Sequence, residues 1–150
     1  MADHTRERVV KIAREWIGTP YHHQASTKGV GSDCLGLIRG IWRELFGAEP
    51  EAVPAYSADW SEASGDERLR AAAMRHLVPC EALDRPEPGD VLLFRMRSGS
   101  VAKHLGFLSV RDGMPFVIHA YQGHAVLESP FSRPLRQRLV ARFAFPEGAE

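Results

Sequence analysis

The sequence predicts an α+β domain in which N-terminal helices pack on a C-terminal antiparallel sheet. Apolar residues recur at helical spacing in the first half of the chain, whereas the second half holds short apolar runs separated by turns. Helices that precede strands, without regular alternation, are typical of this class. At 150 residues the chain has the length of one ordinary domain, which we place at 1–150.

The first predicted helix carries four apolar residues at helical spacing: Val9, Ile12, Ala13 and Trp16. Asp3 or Thr5 is expected to cap its start, and Gly18 with Pro20 is expected to stop it. A polar loop, residues 21–32, follows this helix.

A second helix is predicted from five apolar residues that form one stripe: Leu37, Ile38, Ile41, Trp42 and Leu45. Ser32 or Asp33 is placed to cap it, and Gly47 to end it. Residues 49–65 contain proline and predict irregular structure, before a third, weaker helix over about 66–77.

The strands are predicted after Pro88-Gly89, where the pattern changes to short apolar runs: 91–94, 104–110, 116–121, 125–127 and 139–145. Asp112-Gly113 lies between the second and third of these runs and is a hairpin signal.

Charge and composition exclude several classes of function. Lys plus Arg and Asp plus Glu number 19 each, so the basic excess typical of nucleic-acid binders is absent. No apolar run approaches the roughly 18–20 residues of a membrane span, and the charged N-terminus does not resemble a signal peptide. Two cysteines form neither a disulfide framework nor a four-thiolate zinc site. A zinc site from Cys34, His104 and His119 is the alternative, but no tight ligand spacing such as His-Glu-x-x-His indicates it, and we predict no metal or cofactor.

Cys34 is the candidate nucleophile because it lies where the polar loop becomes the second helix. Unpaired N–H groups at a helix start favour the thiolate, so we expect a lowered pKa. Gly36, within the first turn, leaves room for another backbone to approach. The alternative is a buried structural cysteine. For Cys80 we expect inert packing or an incidental surface thiol.

His104 and His119 are the candidate base and its orienting partner. In an antiparallel pair of strands, the residue numbers of two facing residues always add up to the same value. This sum is 223 if the two histidines face each other, and 225 if the turn is centred on Asp112-Gly113. Both sums are odd, so both registers put the two histidines on one face of the sheet. Directly opposed Cβ atoms lie about 4.5–5.5 Å apart and diagonal ones about 7–8 Å apart, so either register allows contact.

Several segments occur in a distinctive order: Gly-Thr-Pro-Tyr, Asp-Cys-x-Gly-Leu, Pro-Gly-Asp-Val, His-Leu-Gly-Phe and a strand ending in His-Ala. In this order they resemble the NlpC/p60 family of cell-wall endopeptidases. The resemblance implies a papain-like fold, with Cys34 as nucleophile, His104 as base and His119 as orienter. It also implies substrate binding by Tyr21 and Asp33, where Asp33 holds the free amine of a peptide stem. A purely capping role for Asp33 is the alternative.

The resemblance further implies an endopeptidase of the peptidoglycan stem peptide that cuts between γ-D-glutamate and a diamino acid. Leu35, where many members have serine, and Tyr-His-His-Gln after the turn resemble the branch found in phage tails and gene transfer agents. That branch implies tail or baseplate partners and a protein made in the cytoplasm and assembled into a particle. The alternatives are an amidase or acyltransferase of the same fold, or a structural tail component with a vestigial site.

Overall fold

The computed structural model describes residues 4–50, 68–95, 104–120 and 123–147. Its helices are α1 (Thr5–Glu15), α2 (Cys34–Phe46), α3 (Arg68–His76) and the short α4 (Arg133–Gln137). Its strands are β1 (Ser26–Thr27), β2 (Gly31–Ser32), β3 (Val78–Cys80), β4 (Val91–Phe94), β5 (His104–Arg111), β6 (Met114–Ala120), β7 (Val126–Pro130) and β8 (Leu139–Ala144). The predicted α+β class is confirmed, and in the described residues α1, α2 and α3 come ahead of the main sheet.

The main sheet has the strand order β3-β8-β4-β5-β6-β7, and each neighbouring pair is antiparallel. The hairpin between β5 and β6 turns at Asp112-Gly113, where both residues have positive φ, 51° and 76°. Two such residues are typical of the type I′ turn that favours tight hairpins. Phe107 pairs with Ile118, so the register is the one predicted for a turn at these two residues.

The two faces of the sheet have separate apolar cores. The face that carries Leu105, Phe107 and Ile118 packs with apolar residues of α1 and α2. The opposite face holds a smaller cluster, which α4 helps to cover: Leu92, Phe94, Leu108, Val117 and Phe131, with Leu135 and Leu139 packed against it. Alternation along β5 therefore puts His104 on the face of the smaller cluster.

Helices α1 and α2 approach closely at Gly40. A Cβ atom on Gly40 would lie 2.1 Å from Cζ2 of the buried Trp16 ring, so only glycine fits there. The Trp16 indole N–H donates to the Glu44 carboxylate at 2.8 Å, which satisfies its one polar atom. None of the described helices is long and apolar enough to cross a bilayer.

The predicted cap of α1 at Thr5 was wrong. His4 takes the N-cap position without a side-chain bond, and Thr5 is already helical, while Asp3 lies outside the described residues. The predicted start of the third helix at residues 66–67 and most of the predicted irregular segment 49–65 also lie outside them.

Strand β3 and helix α4 were not predicted. Pro79 lies in the middle of β3, but this strand is at the edge of the sheet, where the missing N–H is tolerated. Helix α4 has only five residues and begins next to Pro134, so it offers too short a periodic pattern to detect.

Asp90 joins α1 to the sheet through a fully buried carboxylate. Its Oδ1 accepts from Arg6 at 2.5 Å, and its Oδ2 accepts from Arg142 of β8 at 2.8 Å. Gly89 makes this approach possible, because its φ is +90° and a Cβ there would lie 2.8 Å from the Arg6 Cα. The Pro-Gly-Asp segment thus anchors the first helix at the start of β4.

We predict that Asp90→Ala lowers the free energy of unfolding by about 3–5 kcal/mol, because it leaves the largely buried Arg142 guanidinium without its carboxylate. Glu87→Ala is the matched control. The Glu87 carboxylate pairs with Arg6 at 3.4 Å but is 61% exposed, so its loss should change stability by less than about 1 kcal/mol. Urea denaturation measures both values, and equal losses would contradict the anchoring role of Asp90.

Candidate active site

Asp33 fixes the start of α2. Its Oδ1 accepts from the Gly36 N–H at 2.7 Å, and its Oδ2 accepts from the Gln24 N–H at 2.8 Å. The residue is 2% exposed. Of the two predicted caps, Asp33 is therefore confirmed, and the cap makes Cys34 the first residue of the helix.

Gly36 allows the polar loop to lie against the first turn of α2. A Cβ on Gly36 would lie 1.9 Å from the Ala25 carbonyl oxygen, so the predicted close backbone approach is confirmed. The Ser26 hydroxyl donates to the Gly36 carbonyl at 2.6 Å and holds the loop in this position. These contacts bring the loop and the helix start together around Cys34.

The half-buried Cys34 side chain lies beside the first residues of β5. The backbone N–H of Leu105, which directly follows His104, hydrogen-bonds to the sulfur. Tyr21 lies within electrostatic reach of Cys34 and Asp33. Burial, followed by the charges of these two groups, raises the pKa of its hydroxyl to about 12. The structure therefore groups Tyr21, Asp33 and Cys34 at one end of the sheet.

His104 and His119 are directly hydrogen-bonded. Nε2 of His104 lies 2.8 Å from Nδ1 of His119, and both side chains are buried. The predicted placement on one face is thus confirmed, while the catalytic roles remain predictions. The observed register, extended by one pair, puts Gly106 opposite His119. A Cβ on Gly106 would lie 2.6 Å from Val117 Cγ1 and 3.3 Å from His119 Cβ, so this glycine leaves room beside the ring.

Ser129 extends this pair and was missed in the sequence. Nε2 of His119 lies 3.0 Å from the Ser129 hydroxyl oxygen. His119 pairs with Leu127, so Ser129 is its diagonal neighbour on β7. The predicted strand stopped at residue 127, and only the register of the complete strand would have revealed this serine.

Burial makes both imidazoles weak bases. It lowers the pKa of His104 to about 3, with His119 adding to the effect, and it lowers the pKa of His119 to about 4. Both rings are therefore neutral near pH 7, and each nitrogen is either a donor or an acceptor.

The expected lowering of the Cys34 pKa was wrong. Burial raises the pKa of the thiol to about 12, and the neighbouring Asp33 carboxylate raises it further. Backbone N–H groups of Leu105, Leu35 and Cys34 oppose this shift but do not outweigh it. The structure therefore holds a neutral thiol at Cys34 and neutral imidazoles at His104 and His119.

Comparisons with known proteins agree on the fold. No family model matches the chain. It is 26% identical over 129 residues to a protein of Escherichia coli K12 named murein DD-endopeptidase MepS/murein LD-carboxypeptidase, covering 86% of this chain and 56% of that one. The chain thus spans about half the length of the curated relatives it matches.

Solved structures with this fold include NlpC2 from Trichomonas vaginalis, with TM-score 0.62, 21% identity and coverage of 99% of this chain and 48% of that one. The NlpC/p60 domain of the peptidoglycan hydrolase SagA has TM-score 0.57 and 19% identity, and the match covers 93% of this chain and 97% of that domain. An N-acetylmuramoyl-L-alanine amidase from Bacteroides uniformis has TM-score 0.51 and 10% identity, covering 95% and 98%. The chain has the papain-like fold of the NlpC/p60 proteins.

We predict that stability falls as pH decreases from 6.5 towards 4. The folded pKa values of His104 and His119, about 3 and 4, lie below the ordinary 6.5. The unfolded chain therefore takes up protons first, and each histidine costs about 1 kcal/mol per pH unit in this window. Urea denaturation from pH 7 to pH 4 measures the slope.

His119→Gln should flatten this slope, because it removes one of the two buried rings. His124→Gln, which alters an exposed residue, is the control. A slope in His119→Gln equal to that of the wild type would contradict a buried, neutral His119.

Proposed function

We propose that the chain is a cysteine endopeptidase that hydrolyses the stem peptide of bacterial peptidoglycan. The observation that carries this proposal is the position of Cys34. It lies at a helix start beside the strand that begins with His104, and His104 is hydrogen-bonded to His119. The name of the Escherichia coli relative supports the substrate. A thiol, a base and an orienting group are the parts that acyl transfer through a thioester requires.

In the proposed reaction, the Cys34 sulfur attacks the scissile carbonyl carbon and the thiol proton passes to Nδ1 of His104. The C–N bond then breaks, the amine leaves with the proton from His104, and an acyl-enzyme remains. Water hydrolyses this thioester, giving one proton back to the sulfur by way of His104. His119 binds Nε2 of His104 and holds the ring for both transfers.

We place Tyr21 at the substrate-binding side of the thiol, because it lies within reach of Cys34 and Asp33. For the bond, we propose the link between γ-D-glutamate and the diamino acid. The likeness to an amidase favours cleavage between the sugar lactyl group and the peptide as the second candidate. The two reactions release different products from the same wall.

We also propose that the protein acts within a phage-like tail particle and binds tail or baseplate proteins there. Leu35 in the motif Asp-Cys-Leu-Gly and the segment Tyr21-His22-His23-Gln24 support this placement by their resemblance to that branch. Mass spectrometry of purified particles tests it, since the chain should co-purify with tail proteins. A chain found only outside the particles would contradict it.

We predict that Cys34→Ala abolishes digestion of purified wall, because it removes the atom that forms the thioester. Cys80→Ala is the matched control and should retain activity, since Cys80 lies at the far edge of the sheet in β3. Mass analysis of the products distinguishes the bonds. New amines within the stem favour the endopeptidase, and free lactyl-sugar ends favour the amidase.

Digestion by Cys34→Ala at the wild-type rate would exclude Cys34 as the nucleophile. Absence of products from a folded wild-type protein would instead favour the structural tail component.

Asp33 should act as a cap and not as a receptor for a free amine. Both of its oxygens already accept backbone N–H groups, and the residue is 2% exposed. We therefore predict similar cleavage rates for matched stem peptides with free and acetylated N-termini. A free-amine preference of about 10-fold, equivalent to about 1.4 kcal/mol, that disappears in Asp33→Asn would restore the amine-binding role.

A further inference from the structure

We infer that Ser129 is a positioning residue, whose hydroxyl oxygen accepts the His119 N–H and thereby sets the tautomers of both histidines. The catalytic meaning of this inference rests on the proposed function. The hydrogen-bond assignment itself does not, and it can be tested without a wall substrate.

The three side chains form one relay across three adjacent strands. It runs from His104 on β5 to His119 on β6, over 2.8 Å, and then to Ser129 on β7, over 3.0 Å. Both steps join diagonal neighbours on the same face of the sheet. His119 is 1% exposed, so its two ring nitrogens are shielded from bulk water and bond these protein partners.

A neutral relay has two possible polarities. In the first, His119 donates from Nε2 to Ser129 and accepts at Nδ1 from His104, which leaves Nδ1 of His104 able to take a proton. In the second, Ser129 donates to His119, His119 donates to His104, and the proton of His104 lies on Nδ1. Only the first polarity makes His104 a base towards a thiol at Nδ1.

The position of Ser129 favours the first polarity. It is half-buried on β7, an edge strand of the sheet, so its own O–H can donate to solvent while a lone pair faces His119. Removing the hydroxyl would take away the acceptor that Ser129 offers to the buried Nε2–H of His119, which disfavours the first polarity. The Ser129→Ala relay should therefore move towards the second polarity, in which His104 loses its basic Nδ1.

Two measurements on the full chain test this inference. Two-bond ¹H–¹⁵N correlations of histidine-labelled protein near pH 7 should show both rings protonated at Nε2 in the wild type. In Ser129→Ala, His104 should shift towards the Nδ1–H form, and Ser129→Thr should restore the wild-type tautomers. The rate of Cys34 alkylation by iodoacetamide, resolved from Cys80 by peptide mass spectrometry, should fall about 10-fold in Ser129→Ala, less than the 10²–10⁴-fold that a general base supplies. It should recover in Ser129→Thr.

Ser109→Ala is the matched control, because Ser109 is also a strand serine but bonds Glu128 on the opposite face of the sheet. It should leave tautomers and alkylation unchanged. A wild-type His104 protonated at Nδ1 would overturn the inference without any variant, as would unchanged tautomers in Ser129→Ala. If the tautomers are as predicted but the protein digests no wall, the role of Ser129 in the relay stands and the proposed function is rejected.

Discussion

The register between β5 and β6 is the constraint on which the candidate site depends. Asp112 and Gly113 both adopt positive φ, and the resulting tight turn fixes which residues face each other. Asp tolerates this conformation better than most residues, and glycine adopts it freely. A slip of one residue would move His119 to the opposite face, away from His104. Two residues at the far end of the hairpin therefore determine whether the histidines can meet.

Burial then determines the charge state of the site. Burial on one face of the sheet keeps His104 and His119 neutral, and burial beside the start of β5 keeps the Cys34 thiol protonated. Asp33 contributes in two opposing ways, since its carboxylate stabilises the start of α2 while it disfavours a thiolate on the next residue. Under the proposed reaction, a relay with defined tautomers suits such a site, because transfer of the thiol proton to His104 would accompany bond formation, without a pre-formed ion pair.

The sequence predicted the features that depend on local residue pattern and on the alternation of residues between the two faces of a strand. The helix cap at Asp33 follows from the residue type at a loop–helix boundary. The contact between His104 and His119 follows from the two candidate hairpin registers, since both put these residues on the same face of the sheet. The pKa of Cys34 was not predictable, because it depends on how deeply the tertiary structure buries the sulfur. The role of Asp90 was equally inaccessible, because its partners Arg6 and Arg142 lie 84 and 52 residues away.

Glycine is required by packing in three of the recognisable segments of this chain. Gly36, Gly89 and Gly106 each lie next to an important polar residue, and each occupies a position where a Cβ would meet another atom within 3 Å. The first admits the loop over Cys34, the second admits α1 to Asp90, and the third leaves room beside His119. These segments are therefore constraints on packing as much as on chemistry. They predict the architecture and the contact between His104 and His119, whereas the catalytic roles of these residues and of Cys34 remain predictions.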